Sequence, residues 1–386
     1  MIALHLLVLA AGLTLALAII GSALRTVVLP QDGSPRLAQF LFALMDRLLV
    51  HRWRNDVRTR QVRRMYAPIS LVSLPLTWML GMTIAFTLIF WGAGHITWSR
   101  AFHFSGSSLT TLGFSEPYST SGVWLAFVEA TIGLGLVALL ISYLPTIYTA
   151  YNGREKGVIR LRPLAGSPIS TTDLLRTLHR IGALDGESFW RDYADWLLDL
   201  EQTHTAFPIL TYFPETRPDH SWVACAGSLL DAAALVWSIR DEQKTAQLGS
   251  DETGPLSVLV YGVPAFVSVA TAAGLPIVEP VRFRELRPAP GSPIPSISVT
   301  LAEYRNVLDV LAPAIGQPAS LDDAWRYFCS IRSTYEPSLR ALAGVTKAPP
   351  APWTTDRPAR VGRPRFSRRR PMAVDWTIAP SRTTGD

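Results

Sequence analysis

The 386 residues are enough for more than one domain, and the formal net charge is +6. Only 17% of residues are charged, well below the roughly 25% of soluble domains, and the mean hydropathy is positive. A uniformly water-soluble chain is excluded, because the deficit falls in blocks. Residues 2–24 and 65–99 contain no Asp, Glu, Lys or Arg, and from Pro117 to Gly153 the one formal charge is Glu129. Each block exceeds the ~20 residues that a helix needs to cross a bilayer, so three spans are expected.

Residues 1–29 are the first expected span. A signal peptide is the competing reading, but the segment opens without a positive charge and no Ala-x-Ala site follows it. Residues 25–64 carry nine arginines against three aspartates, and exporting them would violate the positive-inside rule. A retained anchor is therefore preferred, with 30–66 in the cytoplasm. There Leu37, Leu41, Leu44 and Leu48 share one helical face, broadened by Phe40, Met45 and Trp53, beside Arg47, Arg52, Arg54 and Arg58. A basic amphipathic helix next to a span lies along the headgroups and meets anionic lipid. It either anchors the topology or transmits cytoplasmic movement to the membrane.

Residues 67–150 hold the most informative pattern. The apolar run Ala67 to Ala93 leads into Thr97 to Leu109, which reads as a short amphipathic helix. Thr110-Thr111-Leu112-Gly113-Phe114-Ser115-Glu116 follows, and then the apolar run Gly122 to Leu144. With 25–64 cytoplasmic, this loop faces the outer half of the membrane. Irregular backbone at that depth is tolerated only where it is buried in protein or lines a watery path. Small residues and a glycine permit the φ/ψ with which backbone carbonyls replace an ion's hydration shell. Trp98 and Trp124 flank the loop at headgroup depth, as aromatic belts do.

The layout resembles the pore module of potassium channels, in the form with one pore loop and two core helices, and Thr111 to Ser115 is similar to that family's Thr-Val-Gly-Tyr-Gly signature. The resemblance implies that the carbonyls of Thr111, Leu112, Gly113 and Phe114 face the ion, with the Thr111 hydroxyl at the innermost site. Leu112 and Phe114 are mild replacements whose side chains turn into packing. Ser115 stands where the family has glycine; a Cβ is expected to strain the backbone there, so selectivity for potassium over sodium is expected to be weak. Four copies of Glu116 would ring the outer mouth and concentrate cations. The pore helix, about Trp98 to Leu109, would aim its negative C-terminal end at the ion path, with His103 and Phe104 packing around the filter. One loop per chain supplies a quarter of each carbonyl ring. The resemblance thus implies a homotetramer and a permeant monovalent cation, potassium first, with no other cofactor.

In the third span Gly133 and Gly135 lie where the family's inner helix bends, although glycine in membrane helices also serves close packing. Pro145 is expected to break the helix near its cytoplasmic end, either splaying an inner gate or ending the span. Glu129 at mid-span would cost about 2.5–3.5 kcal/mol if ionised, so it should be partnered or neutral. Ser105, Ser107 and Ser108 are its expected neighbours. It is either a gating or proton-sensing carboxyl or, the preferred reading, a neutral brace between pore helix and inner helix.

Beyond Tyr151 the pattern changes to helices punctuated by Gly and Pro, and Arg154 and Lys156 agree with a cytoplasmic position. Ser170-Thr171-Thr172-Asp173 opens a capped helix. Glu187 to Leu200, Ser221 to Asp241, Leu301 to Ala314 and Leu321 to Leu342 follow, so 151–344 reads as a cytoplasmic helical domain. Thr253 to Val278 carries no formal charge, but Gly262, Pro264, Gly274 and Pro276 interrupt it; a buried helix pair is preferred to a fourth span. Cys225 and Cys329 are too few for a metal or disulfide framework and are expected as buried filler. Residues 345–386 read as a disordered Pro/Arg-rich tail, with Arg357, Arg360, Arg363, Arg365, Arg368, Arg369 and Arg370. It either touches anionic lipid or merely solubilises the chain, and no nucleic-acid partner is expected.

No Gly-x-Ser-x-Gly, P-loop, dinucleotide fingerprint or His-x-x-x-His pair occurs, and Asp219-His220-Ser221 adjacent in sequence is not triad geometry. An enzyme is not expected. The expectation is an all-α membrane protein of the plasma membrane, with three transmembrane helices, one pore helix and filter loop, and a cytoplasmic helical domain, acting as a tetrameric cation channel. The alternative is a non-conducting, membrane-anchored interaction or sensor protein with a channel-like shell.

Overall fold

Helix α1 (Ile2–Val27) lies against α2 (Arg58–Gly94) at backbone distance. A methyl group at Gly12 would sit 2.8 Å from the Ala85 carbonyl oxygen, and one at Gly92 would sit 2.9 Å from that of His5. Small residues permit this approach, as they do between helices in lipid. The structure is a computed structural model that describes residues 2–27, 58–94, 96–115, 119–213, 215, 221–239, 254–275 and 293–359. Among these residues every regular element is helical, and five helices are long and apolar enough to cross a membrane. The chain divides into two units, Met1–Ala150 and Tyr151–Asp386. Helix α2 begins at Arg58 rather than at the expected boundary near residue 67. The leucine face from Leu37 to Leu48 lies outside the described residues.

In the first unit α3 (Trp98–Leu109) buries Ala101, Phe104, Ser105, Ser107 and Leu109. Phe104 meets Phe90 edge-on at 6.1 Å, and Trp98 meets Trp91 at 5.8 Å. Helix α4 (Thr120–Ala165) then runs unbroken through Pro145, which corrects the expected break. A proline removes only one backbone donor, and nearby hydroxyls add bonds across this turn. Ser142 donates to the Leu139 carbonyl at 3.0 Å and Thr146 to that of Ser142 at 2.9 Å. Such additions are what let prolines persist in apolar helices.

The second unit takes the last turns of α4 and adds α5 (Thr171–Arg180), α6 (Glu187–Ala206), a 3₁₀ turn (Pro208–Tyr212), α7 (Trp222–Ile239), α8 (Gly254–Ala272), α9 (Leu301–Ile315), α10 (Leu321–Ser333) and α11 (Glu336–Thr346). Local signals set several of these ends. Ser170 and Ser320 accept from the amides of Asp173 and Asp323, and Thr300 with Glu303 forms a reciprocal capping box. Helix α7 is buried along nearly its whole length and forms the centre of the core. Cys225 and Cys329 are both buried and free.

Three expectations for this half are corrected. Helix α8 is one rod rather than a pair. Val258–Gly262 winds as a π-helix just before Pro264, and the wider turn accommodates a residue that would break a regular ladder. The helix expected from Leu321 to Leu342 is two, because α10 ends at Ser333 and α11 restarts with Pro337 in its first turn, where the missing N–H is harmless. Finally, residues 347–359 are folded rather than part of a disordered tail. Lys347 reverses the chain at φ 54°, and Trp353 packs on Phe328 at 5.8 Å. Arg340 donates to the Arg357 carbonyl at 2.9 Å and accepts the Ala359 amide on its own carbonyl at 2.9 Å. Residues 360–386 lie outside the described residues.

This strap also roofs a buried ion-pair network. Arg332 donates to Asp231, to Glu336 and to the Trp353 carbonyl, and the Tyr335 hydroxyl donates to Asp231 at 2.6 Å. Both side chains of the Arg332–Asp231 pair are fully buried, and leaving either partner alone in such a place costs about 3–5 kcal/mol. At the rim Arg357 pairs with Glu303 and holds its carboxyl down to about 2, from 4.5. A depressed carboxylate stabilises the fold fully above its unfolded pKa and loses that contribution as pH falls through the folded one. Protection of the amides from Trp353 to Ala359, exchange divided by its intrinsic rate at each pH, should therefore weaken as pH is lowered from about 4.5 towards 2, and Glu303→Gln should remove that loss. Unchanged protection across the window would mean that the pair does not hold the strap.

Candidate functional site

The loop after α3 folds back onto the helix it leaves. The Thr111 amide donates to the Ser108 carbonyl at 3.0 Å, and the Leu112 and Gly113 amides both donate to the Ser107 carbonyl, at 3.0 and 3.4 Å. The Ser115 amide donates to the Ser107 hydroxyl at 3.0 Å. In a planar trans peptide the N–H and the preceding C=O point opposite ways. Turning these amides towards Ser107 and Ser108 therefore turns the carbonyls of Thr110, Thr111, Leu112 and Phe114 away from them. Residues Thr111 to Phe114 are exposed in the single chain, so this is the open side of the loop.

Backbone handedness makes that arrangement possible. Thr111 has φ 55° and Gly113 has φ 68°, whereas Leu112 between them is outside the left-handed region. Alternating the hand keeps successive amides on one side, where an ordinary extended segment would alternate them. Gly113 meets the requirement without cost. Thr111 is β-branched, and holding it there stores about 1–3 kcal/mol of strain of the kind that collects at functional positions.

This geometry revises the expectation for Ser115. Ser115 lies outside the left-handed region and is held by Ser107, so the strain falls on Thr111 instead. The Thr111 hydroxyl donates to the Thr110 carbonyl at 2.7 Å. Leu112 and Phe114 were expected in packing, but within one chain they are 69% and 65% exposed. Phe114 touches the His103 ring edge-on at 6.4 Å, and among the described residues most of both side chains stays uncovered. Glu116 lies outside the described residues.

From the other side, α4 reaches α3 through Glu129. Its Oε1 lies 2.5 Å from the Ser105 hydroxyl, which is also 2.9 Å from the Thr83 carbonyl of α2. Of the three serines expected near Glu129, Ser105 makes the contact and Ser107 is engaged by the loop. Gly133 packs directly on the end of α3, where a methyl group would lie 2.3 Å from the Leu109 carbonyl oxygen. Gly135 has nothing within 4 Å of such a group and faces outward.

Up to Ala150, α4 shows three faces. Gly122, Glu129, Gly133, Leu136, Tyr143 and Ile147 are buried, while Leu134, Val137, Ile141, Leu144 and Tyr148 form an exposed bulky face. From Thr131 onward, Thr131, Gly135, Ala138, Ser142, Thr146 and Thr149 make a third face, also exposed, of small and hydroxylated residues, which Trp124 and Val128 continue towards the start of α4. The sequence does not announce this face, and it places Ser107 beside Glu129 rather than under the loop. The available signals were the helical spacing of small residues in α4 and two hydroxyls two positions apart at the end of an apolar helix.

Comparison with known proteins finds no matching family model, no matching curated protein and no matching solved structure.

The two glycines of α4 should separate cleanly. Gly133→Ala forces a methyl group into the Leu109 carbonyl and should destabilise the first unit by about 1–3 kcal/mol, the usual cost of overpacking. Gly135→Ala should be neutral or stabilise by up to about 1 kcal/mol through helix propensity. Unfolding titrations in detergent read both values, and equal effects would remove the packing assignment of Gly133.

Proposed function

We propose that residues 67–150 of four chains surround a membrane pore that conducts monovalent cations, potassium first. The observation that carries this reading is the loop's polarity. The amides of Thr111, Leu112, Gly113 and Ser115 are engaged by Ser107 and Ser108, so the carbonyl oxygens of Thr110, Thr111, Leu112 and Phe114 turn outward. Rings of such oxygens can stand in for a cation's hydration shell. The C-terminal end of α3, with its negative partial charge, adjoins the same point. A single chain presents this row to open space, and a closed fourfold arrangement would give each oxygen its symmetry mates. The exposed Leu112 and Phe114 would then be covered by neighbouring subunits.

Helix α4 supports the same reading. Its buried face holds the loop through α3, its bulky face suits lipid, and its small, hydroxylated face suits a water-filled path. Residues 30–66 would be cytoplasmic, as would everything beyond Tyr151, with the loop in the outer half of the membrane.

Flux of potassium and sodium from proteoliposomes tests the proposal. Purified wild-type chain should conduct, and Gly113→Ala should lose at least ten-fold of the flux while still inserting, because alanine resists φ near 68°. Wild-type flux from Gly113→Ala would sink the filter assignment. No flux from the wild type would favour the non-conducting, membrane-anchored alternative.

The water path makes its own demand. A cysteine at Ala138 should react with a water-soluble cationic thiol reagent and block conduction, whereas one at Ile141 should be inert. Reversal of that order would place the pore on the other face of α4.

A further inference from the structure

Ser105, Glu129 and Thr83 set a proton-counting problem inside the first unit. Two short oxygen–oxygen contacts meet at the Ser105 hydroxyl, 2.5 Å to Glu129 Oε1 and 2.9 Å to the Thr83 carbonyl. Each lies within the range of an O–H···O hydrogen bond, and each therefore needs a hydrogen between its two oxygens. Serine has a single hydroxyl hydrogen and a backbone carbonyl has none. One hydrogen shared between both acceptors would leave two long, weak contacts, which the 2.5 Å separation is not, so the second hydrogen is assigned to the carboxyl. Glu129 is fully buried, its Oε2 has no hydrogen-bond partner, and no cation pairs with it among the described residues. An ionised carboxylate in that place would have one hydroxyl as its whole solvation, which is far too little.

We propose that Glu129 is a neutral positioning residue, whose carboxyl O–H donates to Ser105 while Ser105 donates to the Thr83 carbonyl, tying α4 and α2 to α3 and so fixing Ser107 and the loop that it holds. The chain of effect is short. Ser105 and Ser107 lie two residues apart on α3, and both are buried. Ser107 carries three of the loop's amides, two on its carbonyl and one on its hydroxyl. A shift of α3 between its neighbours would move all of these at once. Gly133, with Leu109 pressed onto it, is a second contact between α4 and the same end of α3, so the brace is fixed on both sides of Ser107. The effect on conduction rests on the filter reading, whereas the protonation and bracing do not.

The test combines infrared difference spectra, thermal unfolding and flux on the full-length chain in liposomes. At neutral pH, wild type minus Glu129→Gln should show the C=O stretch of one protonated carboxyl. Glu129→Gln keeps the shape and a donor towards Ser105, so it should hold the wild-type unfolding midpoint and at least half the flux. Glu129→Ala should lower the midpoint and cut flux ten-fold or more, and Ser105→Ala should do the same. A carboxylate band in place of the protonated one overturns the proposal, as does Glu129→Gln behaving like Glu129→Ala. If no variant or parent conducts, the filter reading fails alone, because the carboxyl band and the unfolding midpoints still decide the brace.

Discussion

Ser107 is the point on which the first unit's geometry turns. At the end of α3 its carbonyl and hydroxyl take amides from a loop that would otherwise leave them unpaired beside apolar helices. A buried amide without a partner costs about 1–3 kcal/mol, so the loop has a strong reason to curl onto this residue. Curling in that direction has one consequence that the sequence alone does not announce: the carbonyls must face the other way. The left-handed residues at Thr111 and Gly113 follow from it, as does the strain at the β-branched Thr111. The distribution of polarity in this region therefore comes from the end of one short helix.

Holding Ser107 in place falls to its neighbours. Phe104 against Phe90 sets α3 on α2, and the Leu109 carbonyl on Gly133 sets it against α4. These contacts use close approach and aromatic area, which are indifferent to whether the surroundings are lipid or protein. The polar tie through Glu129 and Ser105 is different, because a hydrogen bond is directional and specifies rotation as well as distance. Apolar packing alone would leave α3 free to turn on its axis, and turning it by even part of a residue would swing Ser107 away from the loop.

Much of this was legible in the sequence. The charge-free runs located α1, α2 and α4, Thr97 to Leu109 marked the short helix, and Ser170, Thr300 and Ser320 stand where helices start. What was not legible has physical causes. Hydropathy cannot say whether a proline will break a helix, and Pro145 and Pro264 did not, one beside added hydroxyl bonds and the other after a π turn. Composition called everything after Val345 disordered, but one tryptophan and one arginine anchor 347–359, and neither changes the average. The emphasis on Ser115 came from the family's glycine pattern. The backbone puts the strain at Thr111, because strain follows the hydrogen bonding of the loop and not its alignment to a signature.

Burial separates helices that hydropathy treats alike. The most apolar stretch of α7 is 94% buried within the second unit, whereas those of α1 and α4 are each 17% buried. Apolar side chains gain nothing by being apolar until something covers them. Helix α7 has its cover in the core, and it can carry Asp231 because Arg332 and Tyr335 are there to meet it. For α1 and the first part of α4 the described chain supplies little cover, and exposed apolar faces of that extent require a bilayer or further copies of the chain. Helix α8, 56% buried, lies between these cases. The same distinction governs the buried acids. Asp231 sits in a core with room for a guanidinium and is met by a charge, while Glu129 sits among helices whose neighbouring groups are hydroxyls and carbonyls. With no opposite charge beside it among the described residues, a carboxyl is best accommodated by keeping its own proton.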